Sequence, residues 1–329
     1  MEIGRAKPLL IWAVSDGRAG MENQALGLAE AVARLTPAEI VVKRVTWRAA
    51  FDRLPSALKA AWMLDPGSDA VLPASGERWP DVWIGTGRAT LPLSAAVKRR
   101  FGGRTFVVQT QDPRWRTDAY DLVVAPEHDG LTGTNVLSIV GSPHRVSRTA
   151  LDAGAEPFAG ALSRLPRPRV AVLIGGRSAT FDLPEDHAAT LGDRIAEAVR
   201  EAGGSALVTF SRRTPDAARR VVRDRLAALP GVIWDGEGPN PYFAFLHAAD
   251  HVLVTEDSAN MAAEAASTGK PVHVLPMVPL KPAPKFARLH EALRAYGAAR
   301  PFDGTLETWT YAPLNETERA AREVLKRLG

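Results

Sequence analysis

The sequence contains no cysteine. Disulfide bonds, thiolate metal sites and a cysteine nucleophile are therefore excluded. Long hydrophobic runs are also missing, since no apolar stretch approaches the roughly 18–20 residues of a membrane span, and the N-terminus lacks the apolar core of a signal peptide. We therefore expect a cytoplasmic protein, at most a peripheral one on the cytoplasmic face of the inner membrane.

Strong charge of one sign is lacking too. The chain has 41 Lys and Arg against 37 Asp and Glu, a formal net charge of +4. This small surplus suits anionic small molecules or an anionic membrane surface, and it is too dilute to indicate nucleic-acid binding. Apolar residues make up 46% and charged residues 24%, which are values of a globular protein without a large disordered part.

The 329 residues are enough for two domains. Short apolar, β-branched runs alternate with helical segments, which predicts an α/β protein with parallel sheets. A Pro/Arg-rich segment at 162–169 separates two such series. We therefore predict one Rossmann-like domain over residues 1–161 and a second over residues 170–311.

The segment 251–271 carries the clearest local pattern of the second series. A buried strand is predicted at 251–255, a polar turn follows it, and an Ala-rich helix is predicted over 259–267. Asp257 or Ser258 at the helix N-cap would leave backbone N–H groups and the positive helix end facing a ligand. By itself this βαβ unit predicts anion binding at the carboxyl end of the strand.

Other loops of the second series also end strands with small polar or basic residues, namely Gly175, Gly176, Arg177, Ser178, Ser211, Arg212, Arg213, Asn240 and Tyr242. The two glycines can expose N–H groups to a phosphate, or they can simply form a tight turn. The arginines can pair with a diphosphate or lie solvated on the surface. Tyr242 can stack on a base or belong to the core. We expect these loops to surround one crevice.

The stretch Thr255-Glu256-Asp257-Ser258-Ala259-Asn260, with Glu264 and Gly269-Lys270-Pro271 after it, resembles the donor-binding helix of GT-B glycosyltransferases. It is especially similar to the enzymes that add N-acetylglucosamine to the peptidoglycan lipid intermediate. The resemblance implies that Glu264 holds the ribose of a nucleotide sugar and that the helix start meets its diphosphate. The donor-binding residues implied on this segment are Thr255, Asp257, Ser258, Asn260, Met261 and Glu264. It also implies two Rossmann-like domains facing a cleft, with a C-terminal helix within 312–329 returning to the first domain.

Four further motifs resemble the bacterial branch of the mitochondrial-fission ELM family: SDGRAGMENQALGL (15–28), QTQDPR (109–114), APEHDG (125–130) and GSPHRV (141–146). The resemblance covers essentially the whole chain, and it implies a glycosyltransferase. The acceptor-binding residues that we predict from these motifs are Arg18, Asn23, Gln24, Asp112, Glu127, His128, Asp129, His144 and Arg145.

The catalytic base is predicted among carboxylates. Where the peptidoglycan enzymes have a histidine-containing glycine loop, this chain has Asp16 and Glu22. Asp16 is the first candidate, because it ends a strand, although a turn role is the alternative. The Glu127-His128-Asp129 segment can act as an alternative base, contact acceptor hydroxyls or form a structural corner. No partner histidines recur at metal-ligand spacing, so we predict no metal and no bound cofactor.

These observations predict a GT-B glycosyltransferase that transfers a sugar from a nucleotide-diphosphate sugar to a cell-envelope glycan or glycolipid, with inversion and without a metal. Two alternatives stay open. One is a non-hydrolysing nucleotide-sugar epimerase, and the other is a non-catalytic GT-B scaffold at a membrane, as in the organelle-fission factors.

A helix with an aromatic face is predicted over 46–64, with a bend at Pro55. Its face comprises Trp47, Phe51, Leu54, Leu58 and Trp62, and its flanking cations are Arg44, Arg48, Arg53 and Lys59. This pattern suits an interfacial helix on anionic lipid. The alternative is the core-facing side of an ordinary surface helix.

Overall fold

The computed structural model describes residues 7–71 and 78–329. Its strands are β1 (Leu9–Ser15), β2 (Ala38–Arg44), β3 (Val82–Thr86), β4 (Phe106–Thr110), β5 (Leu122–Pro126), β6 (Val136–Ile139), β7 (Arg169–Ile174), β8 (Phe181–Asp182), β9 (Ser205–Phe210), β10 (Gly231–Trp234), β11 (His251–Thr255), β12 (Val272–Leu275), β13 (Val278–Pro279) and β14 (Ala299–Pro301).

Its α-helices are α1 (Ala19–Leu35), α2 (Ala49–Asp52), α3 (Leu91–Phe101), α4 (Arg148–Ala155), α5 (Ala159–Leu162), α6 (Glu185–Glu201), α7 (Asp216–Leu226), α8 (Tyr242–Ala248), α9 (Ala259–Ala266), α10 (Pro284–Ala295) and α11 (Glu316–Leu328). Single 3₁₀ turns lie at Ser56–Leu58, Ala61–Met63, Thr117–Ala119, Glu127–Asp129 and Glu156–Phe158. The strands and helices alternate along most of the chain, so the predicted α/β class with parallel sheets is confirmed.

The chain divides into two compact units, residues 1–145 with 315–329, and residues 146–314. The boundary differs from the predicted linker at 162–169, because α4 packs on α8 of the second unit. A side chain at Gly154 of α4 would come within 2.7 Å of Phe243 Cβ. The absence of that side chain allows the two helices to approach closely.

The first unit contains a six-stranded parallel sheet in the order β2-β1-β3-β4-β5-β6. Its strands are nearly continuous apolar runs, because helices cover both faces of a parallel sheet. Side chains alternate between the faces, so Trp12 joins one core cluster and Ile11 the other. α11 packs against α1, and its Ala320, Ala321 and Val324 are fully buried.

The second unit contains a six-stranded parallel sheet in the order β10-β9-β7-β11-β12-β14. This is the strand order of a dinucleotide-binding sheet, in which the order of the parallel strands reverses between the first and fourth strands, here β7 and β11. An antiparallel ribbon of β8 and β13 lies outside this sheet. In an open α/β sheet the ligand crevice lies at the carboxyl ends of the strands beside such a switch point.

The long amphipathic helix predicted over 46–64 is wrong. The segment folds as α2, two 3₁₀ turns and extended backbone, with an isolated bridge between Trp47 and Leu64. Trp47 is buried and donates from Nε1 to the carbonyl oxygen of Ala89 at 3.0 Å. That long-range contact holds the segment on the core in a path that a continuous helix could not follow.

Candidate functional site

The loops after β7 and β11 meet at the switch point of the second unit. The Gly175 N–H donates to Thr255 Oγ1 at 2.8 Å, and the Gly176 N–H donates to Asp257 Oδ2 at 3.0 Å. Thr255 Oγ1 in turn donates to Asp257 Oδ1 at 2.6 Å. The sequence therefore placed these residues at one edge correctly, but their polar groups bind one another.

The Asp257 carboxylate is the centre of this cluster. Its side chain is fully buried, and Arg213 Nη2 lies 2.9 Å from its Oδ2. A side chain at Gly175 would come within 1.9 Å of Asp257 Oδ1, and one at Gly176 within 2.2 Å of the Arg213 carbonyl oxygen. Both glycines are thus required by packing inside the protein. The N–H groups that we predicted to cradle a phosphate are already donated to Thr255 and Asp257.

Arginines border an open groove of about 860 Å³ beside this cluster. Arg177, Arg212 and Arg213 line it together with four carboxylates, those of Asp182, Glu185, Asp186 and Asp216. Arg177 lies 3.8 Å from Asp182, and its side chain is 68% exposed. Arg212 is exposed as well. The groove therefore presents exposed guanidinium groups, which can pair with an anion, among carboxylates and next to the buried Asp257–Arg213 pair.

Ser211, Thr214 and Ser178 have structural contacts within these loops. Ser211 Oγ accepts from the Arg213 N–H at 3.0 Å, and Thr214 Oγ1 donates to the Gly175 carbonyl oxygen at 2.6 Å. Ser178 Oγ accepts from the Phe181 N–H at 3.0 Å. Thr214 was missing from the predicted site, and its hydroxyl ties the loop after β9 to the loop after β7.

α9 begins beside the same cluster. Of the two N-cap candidates from the sequence, Ser258 is the N-cap, and its Oγ accepts from the Met261 N–H at 3.3 Å. Asn260 and Met261 lie in the first turn, and both are half-buried. The first turn of α9 therefore adjoins the Asp257 cluster at the carboxyl end of β11.

Glu264 lies further along α9 and is 9% exposed. Tyr242, the first residue of α8, donates its hydroxyl to Glu264 Oε2 at 2.5 Å. Burial raises the pKa of Glu264 to about 7, although the Tyr242 hydrogen bond opposes that rise. Burial, followed by the Glu264 charge, raises the Tyr242 pKa well above its usual value. Asn240 Oδ1 accepts from the Tyr242 N–H at 3.0 Å.

A second groove, of about 840 Å³, is mainly apolar and lies between α10, β12 and the ribbon of β8 and β13. Phe181 and Phe286 line it, with their ring centroids 5.2 Å apart. Glu256 joins this groove to the turn before α9, since its Oε1 accepts from the Met277 N–H at 2.6 Å. Its carbonyl oxygen also bonds to His290 Nε2 at 2.9 Å. No role was predicted for these residues from the sequence.

The two predicted bases of the first unit are each paired with an arginine. Asp16 Oδ2 accepts from Arg18 Nη2 at 2.5 Å, and the Arg18 side chain is 73% exposed. Glu22 accepts from Arg44 Nε at 2.6 Å. Because of that hydrogen bond, the pKa of Glu22 is lowered below its ordinary value. A lowered pKa weakens a carboxylate as a general base.

A pair of glutamines stands at the same end of the sheet. Gln111 Nε2 donates to Gln24 Oε1 at 3.0 Å, and Gln24 is 2% exposed. Gln111 has a φ of 69°, which is uncommon for a residue with a side chain. Gln111 belongs to the QTQDPR motif but was not predicted as a site residue, since no sequence signal marks a left-handed glutamine. Asn23 precedes Gln24 and is half-buried.

The remaining predicted acceptor residues lie in three places of the first unit. Asp112 Oδ1 accepts from the Arg114 N–H at 2.7 Å. Glu127, His128 and Asp129 form a 3₁₀ turn directly after β5. His144 is buried, and its N–H donates to Thr317 Oγ1 of α11 at 3.1 Å.

Arg145 binds Glu30 of α1 through both Nε and Nη2, at 3.0 and 2.7 Å. His144 and Arg145 thus hold their segment onto α1 and α11. Within residues 7–71 and 78–329, the side chains of His, Asp and Glu form no group of three that could hold a metal ion. In the same part of the chain, no helix is long and apolar enough to cross a membrane.

The two sheets and their order define a GT-B fold, which solved structures share. MurG of Acinetobacter baumannii has a TM-score of 0.52 at 12% identity, covering 97% of this chain and 100% of that one. The UDP-GlcNAc 2-epimerase of Methanocaldococcus jannaschii has a TM-score of 0.54 at 12% identity, covering 96% and 99%. Os79 of O. sativa in complex with UDP has a TM-score of 0.51 at 15% identity, covering 97% and 91%.

The chain belongs to the mitochondrial fission ELM1 family, whose model matches residues 19–328. The mitochondrial fission protein ELM1 of Arabidopsis thaliana is 32% identical over 276 residues, which cover 76% of this chain and 64% of that protein. The chain thus spans less than two thirds of the Arabidopsis protein. An uncharacterized protein of Rickettsia prowazekii (strain Madrid E) is 26% identical over 355 residues, covering 96% and 97%. The family and the fold expected from the sequence are both confirmed.

Proposed function

We propose that this protein is a glycosyltransferase that takes a sugar from a nucleotide-diphosphate sugar and transfers it, with inversion, to a cell-envelope glycan or glycolipid. The observation that carries the proposal is the arrangement at the switch point of the second unit. There, α9 begins just after Asp257, whose partner Arg213 lines a groove of three arginines and four carboxylates, and α9 carries the buried carboxyl of Glu264. The UDP complex of Os79, which shares the fold, supports a uridine nucleotide as the first ligand to test.

The donor would use charges that the second unit already holds. Arg177 and Arg212 are exposed and would pair with the diphosphate, and the first turn of α9 would add N–H groups. We propose that these groups, without a metal ion, stabilise the leaving diphosphate. Asp257 would act indirectly, because its buried carboxylate positions Arg213.

For the acceptor, Asp16 remains our proposed base. Its partner Arg18 is largely exposed, so an incoming hydroxyl could replace that contact at little cost. Glu22 is the weaker choice, because Arg44 lowers its pKa. The acceptor residues proposed around Asp16 are Asn23, Gln24, Asp112 and the 127–129 turn.

The test of donor binding is calorimetry with UDP on the wild type, on Glu264→Ala and on the exposed-surface control Glu197→Gln. A lost hydrogen bond to a charged group weakens binding by about 1.5–3 kcal/mol. We expect that loss in Glu264→Ala and unchanged affinity in Glu197→Gln, with both variants folded. Equal affinity in Glu264→Ala would contradict the ribose assignment.

A second function, nucleotide-sugar epimerisation, is favoured by the shared fold of the M. jannaschii epimerase. Product analysis separates the readings after incubation with UDP-N-acetylglucosamine and bacterial lipid extract. A new glycoside supports transfer, and a new free nucleotide sugar supports epimerisation. A protein that binds no nucleoside diphosphate in a thermal-shift screen would instead be a scaffold.

A lipid-linked acceptor would be met at a bilayer surface. We propose a peripheral membrane contact through Leu58 and Trp62, which are 63% and 64% exposed. Arg53 is exposed beside them. Lys59, which was predicted to flank this face, turns inward and donates to the Asp52 carbonyl oxygen at 2.8 Å.

A further inference from the structure

Tyr242 is held at the start of α8 by contacts on both sides. Asn240 Oδ1 accepts from the Tyr242 N–H at 3.0 Å, and the Phe245 N–H donates to the Pro241 carbonyl oxygen at 2.8 Å. α8 also packs on α4, where Gly154 leaves room for Phe243. The backbone that carries the Tyr242 ring is therefore fixed before any ligand arrives.

The Tyr242 hydroxyl reaches Glu264, the carboxylate to which the proposed function assigns the ribose. It donates to Glu264 Oε2 at 2.5 Å, although 22 residues separate the two in sequence. Glu264 is 9% exposed. A carboxylate has acceptor positions on both oxygens, so a donor on Oε2 leaves capacity for further donors.

This inference rests on the proposed function. We propose that Tyr242 is a positioning residue for nucleotide recognition: its hydroxyl fixes the Glu264 carboxylate and remains bound while Oε1 accepts a ribose hydroxyl. A free glutamate side chain samples several rotamers, and holding one of them removes that entropy cost from binding.

The ionisation of Glu264 provides a signature of this role. Burial raises the Glu264 pKa to about 7, and the Tyr242 hydrogen bond lowers it. The elements packed around α9 carry other titratable or charged groups, namely His251 on β11, His273 on β12, Lys285, Arg288, His290, Glu291 and Arg294 on α10, and Tyr311, whose hydroxyl donates to the Ala266 carbonyl oxygen of α9. Accepting a ribose hydroxyl on Oε1 favours the ionised form, so nucleotide affinity should rise with pH through this range.

The experiment is calorimetry with UDP between pH 6 and pH 8.5 on the wild type, Tyr242→Phe, Glu264→Gln and the double variant. We expect Tyr242→Phe to weaken UDP binding about tenfold at pH 8.5, the effect of one lost charged hydrogen bond. We also expect its affinity profile to move about one pH unit upward, because the group that lowers the Glu264 pKa is gone. In the Glu264→Gln background, Tyr242→Phe should have no further effect.

The matched control is Tyr296→Phe, which removes a hydroxyl from the same unit at a residue that is 42% exposed. It should leave both the affinity and the pH profile unchanged. Thermal melting of every variant reports whether each is folded, and the comparison within the Glu264→Gln background remains valid if Tyr242→Phe lowers stability. If Tyr242→Phe binds UDP with an unaltered pH profile, the positioning role of Tyr242 is overturned and the proposed function is not. Wild-type protein that binds no nucleoside diphosphate would overturn the proposed function itself.

Discussion

At the scale of single residues, the loops of the second unit show how a motif and its use can differ. The two glycines after β7 were predicted to face a phosphate. They face Asp257 and Arg213, and the carboxylate occupies the space that a side chain at Gly175 would need. A glycine pair after a strand signals a close approach of backbone to something, and only the fold identifies that partner.

A buried histidine pair gives the second unit a dependence of stability on pH. His273 Nε2 lies 3.4 Å from His251 Nδ1, and the His273 ring packs 5.1 Å from Trp309. Burial, aided by the neighbouring His251, lowers the His273 pKa to about 4, against an ordinary value of 6.5. His251 shifts in the same direction because of burial.

As pH falls, His273 is therefore protonated at a lower pH in the folded state than in the unfolded chain. Stability is complete above pH 6.5 and declines as pH drops from there toward 4, with a loss of about 2 kcal/mol at pH 5. Urea unfolding at pH 7.5 and pH 5 measures this difference. His273→Gln should reduce it, and His187→Gln, at a half-buried position outside this pair, should not. An equal difference in all three proteins would contradict the assignment.

At the scale of elements, the segment after β2 separates aromatic residues that the sequence grouped together. Trp47 is 5% exposed and belongs to the core. Trp62 is 64% exposed and meets Phe51 edge-on, with ring centroids 5.4 Å apart. The recurrence of aromatics at helical spacing was real, but the chain turns between them.

We therefore expect opposite results from two matched substitutions. Trp47→Ser should lower the free energy of unfolding by about 3–5 kcal/mol, whereas Trp62→Ser should change it by about 0.5 kcal/mol. Trp62→Ser should also reduce co-sedimentation with anionic liposomes at low salt, because an exposed ring leaves the proposed contact. Denaturant melts measure the change in stability, and co-sedimentation measures liposome binding. If Trp62→Ser binds liposomes as well as the wild type does, the proposed membrane contact is excluded.

Helix α10 and the groove beside it show another limit at this scale. No element was predicted over residues 278–311, where Pro279, Pro282, Pro284 and Pro301 interrupt the apolar pattern. The structure forms a twelve-residue helix there, with Pro284 at its first position. Proline is well tolerated at that position, since its missing N–H would have no partner inside the helix.

At the scale of the whole molecule, the two units differ in how the chain builds them. Residues 146–314 form the second unit as one continuous segment, whereas the first unit needs residues 315–329 from the far end. α11 buries Ala320, Ala321 and Val324 in the core cluster that also contains Leu28 of α1.

Residues 146–314 expressed alone should consequently fold and unfold cooperatively, because their core lies within the segment. Residues 1–145 alone should be less stable than the same segment joined through a short linker to 315–329, since removing α11 exposes apolar side chains of α1. Circular dichroism melts of the three polypeptides measure this. Equal melting temperatures for the two versions of the first unit would show that α11 contributes little.

The sequence by itself determined the parallel α/β class and most of the strands of the two large sheets, and its resemblances indicated the GT-B fold and the family. Buried parallel strands are continuous apolar runs that need no knowledge of their neighbours, and the cap at Ser258 is a local contact. The loops at the carboxyl ends of β7, β9 and β11 were also found from their polar residues, since parallel strands of one sheet bring those ends to one edge.

Only the tertiary structure decided which groups those loops leave for a ligand. Gly175, Arg213 and Asp257 lie far apart in sequence, and the packing of β7 between β9 and β11 brings them together. The same holds for Tyr242 and Glu264, for the inward turn of Lys59 and for α4 on the second unit. In each case a buried polar or packing group contacts a partner that is distant in sequence. Hydrogen bonding and close packing depend on distances in space, and local sequence patterns do not contain those distances.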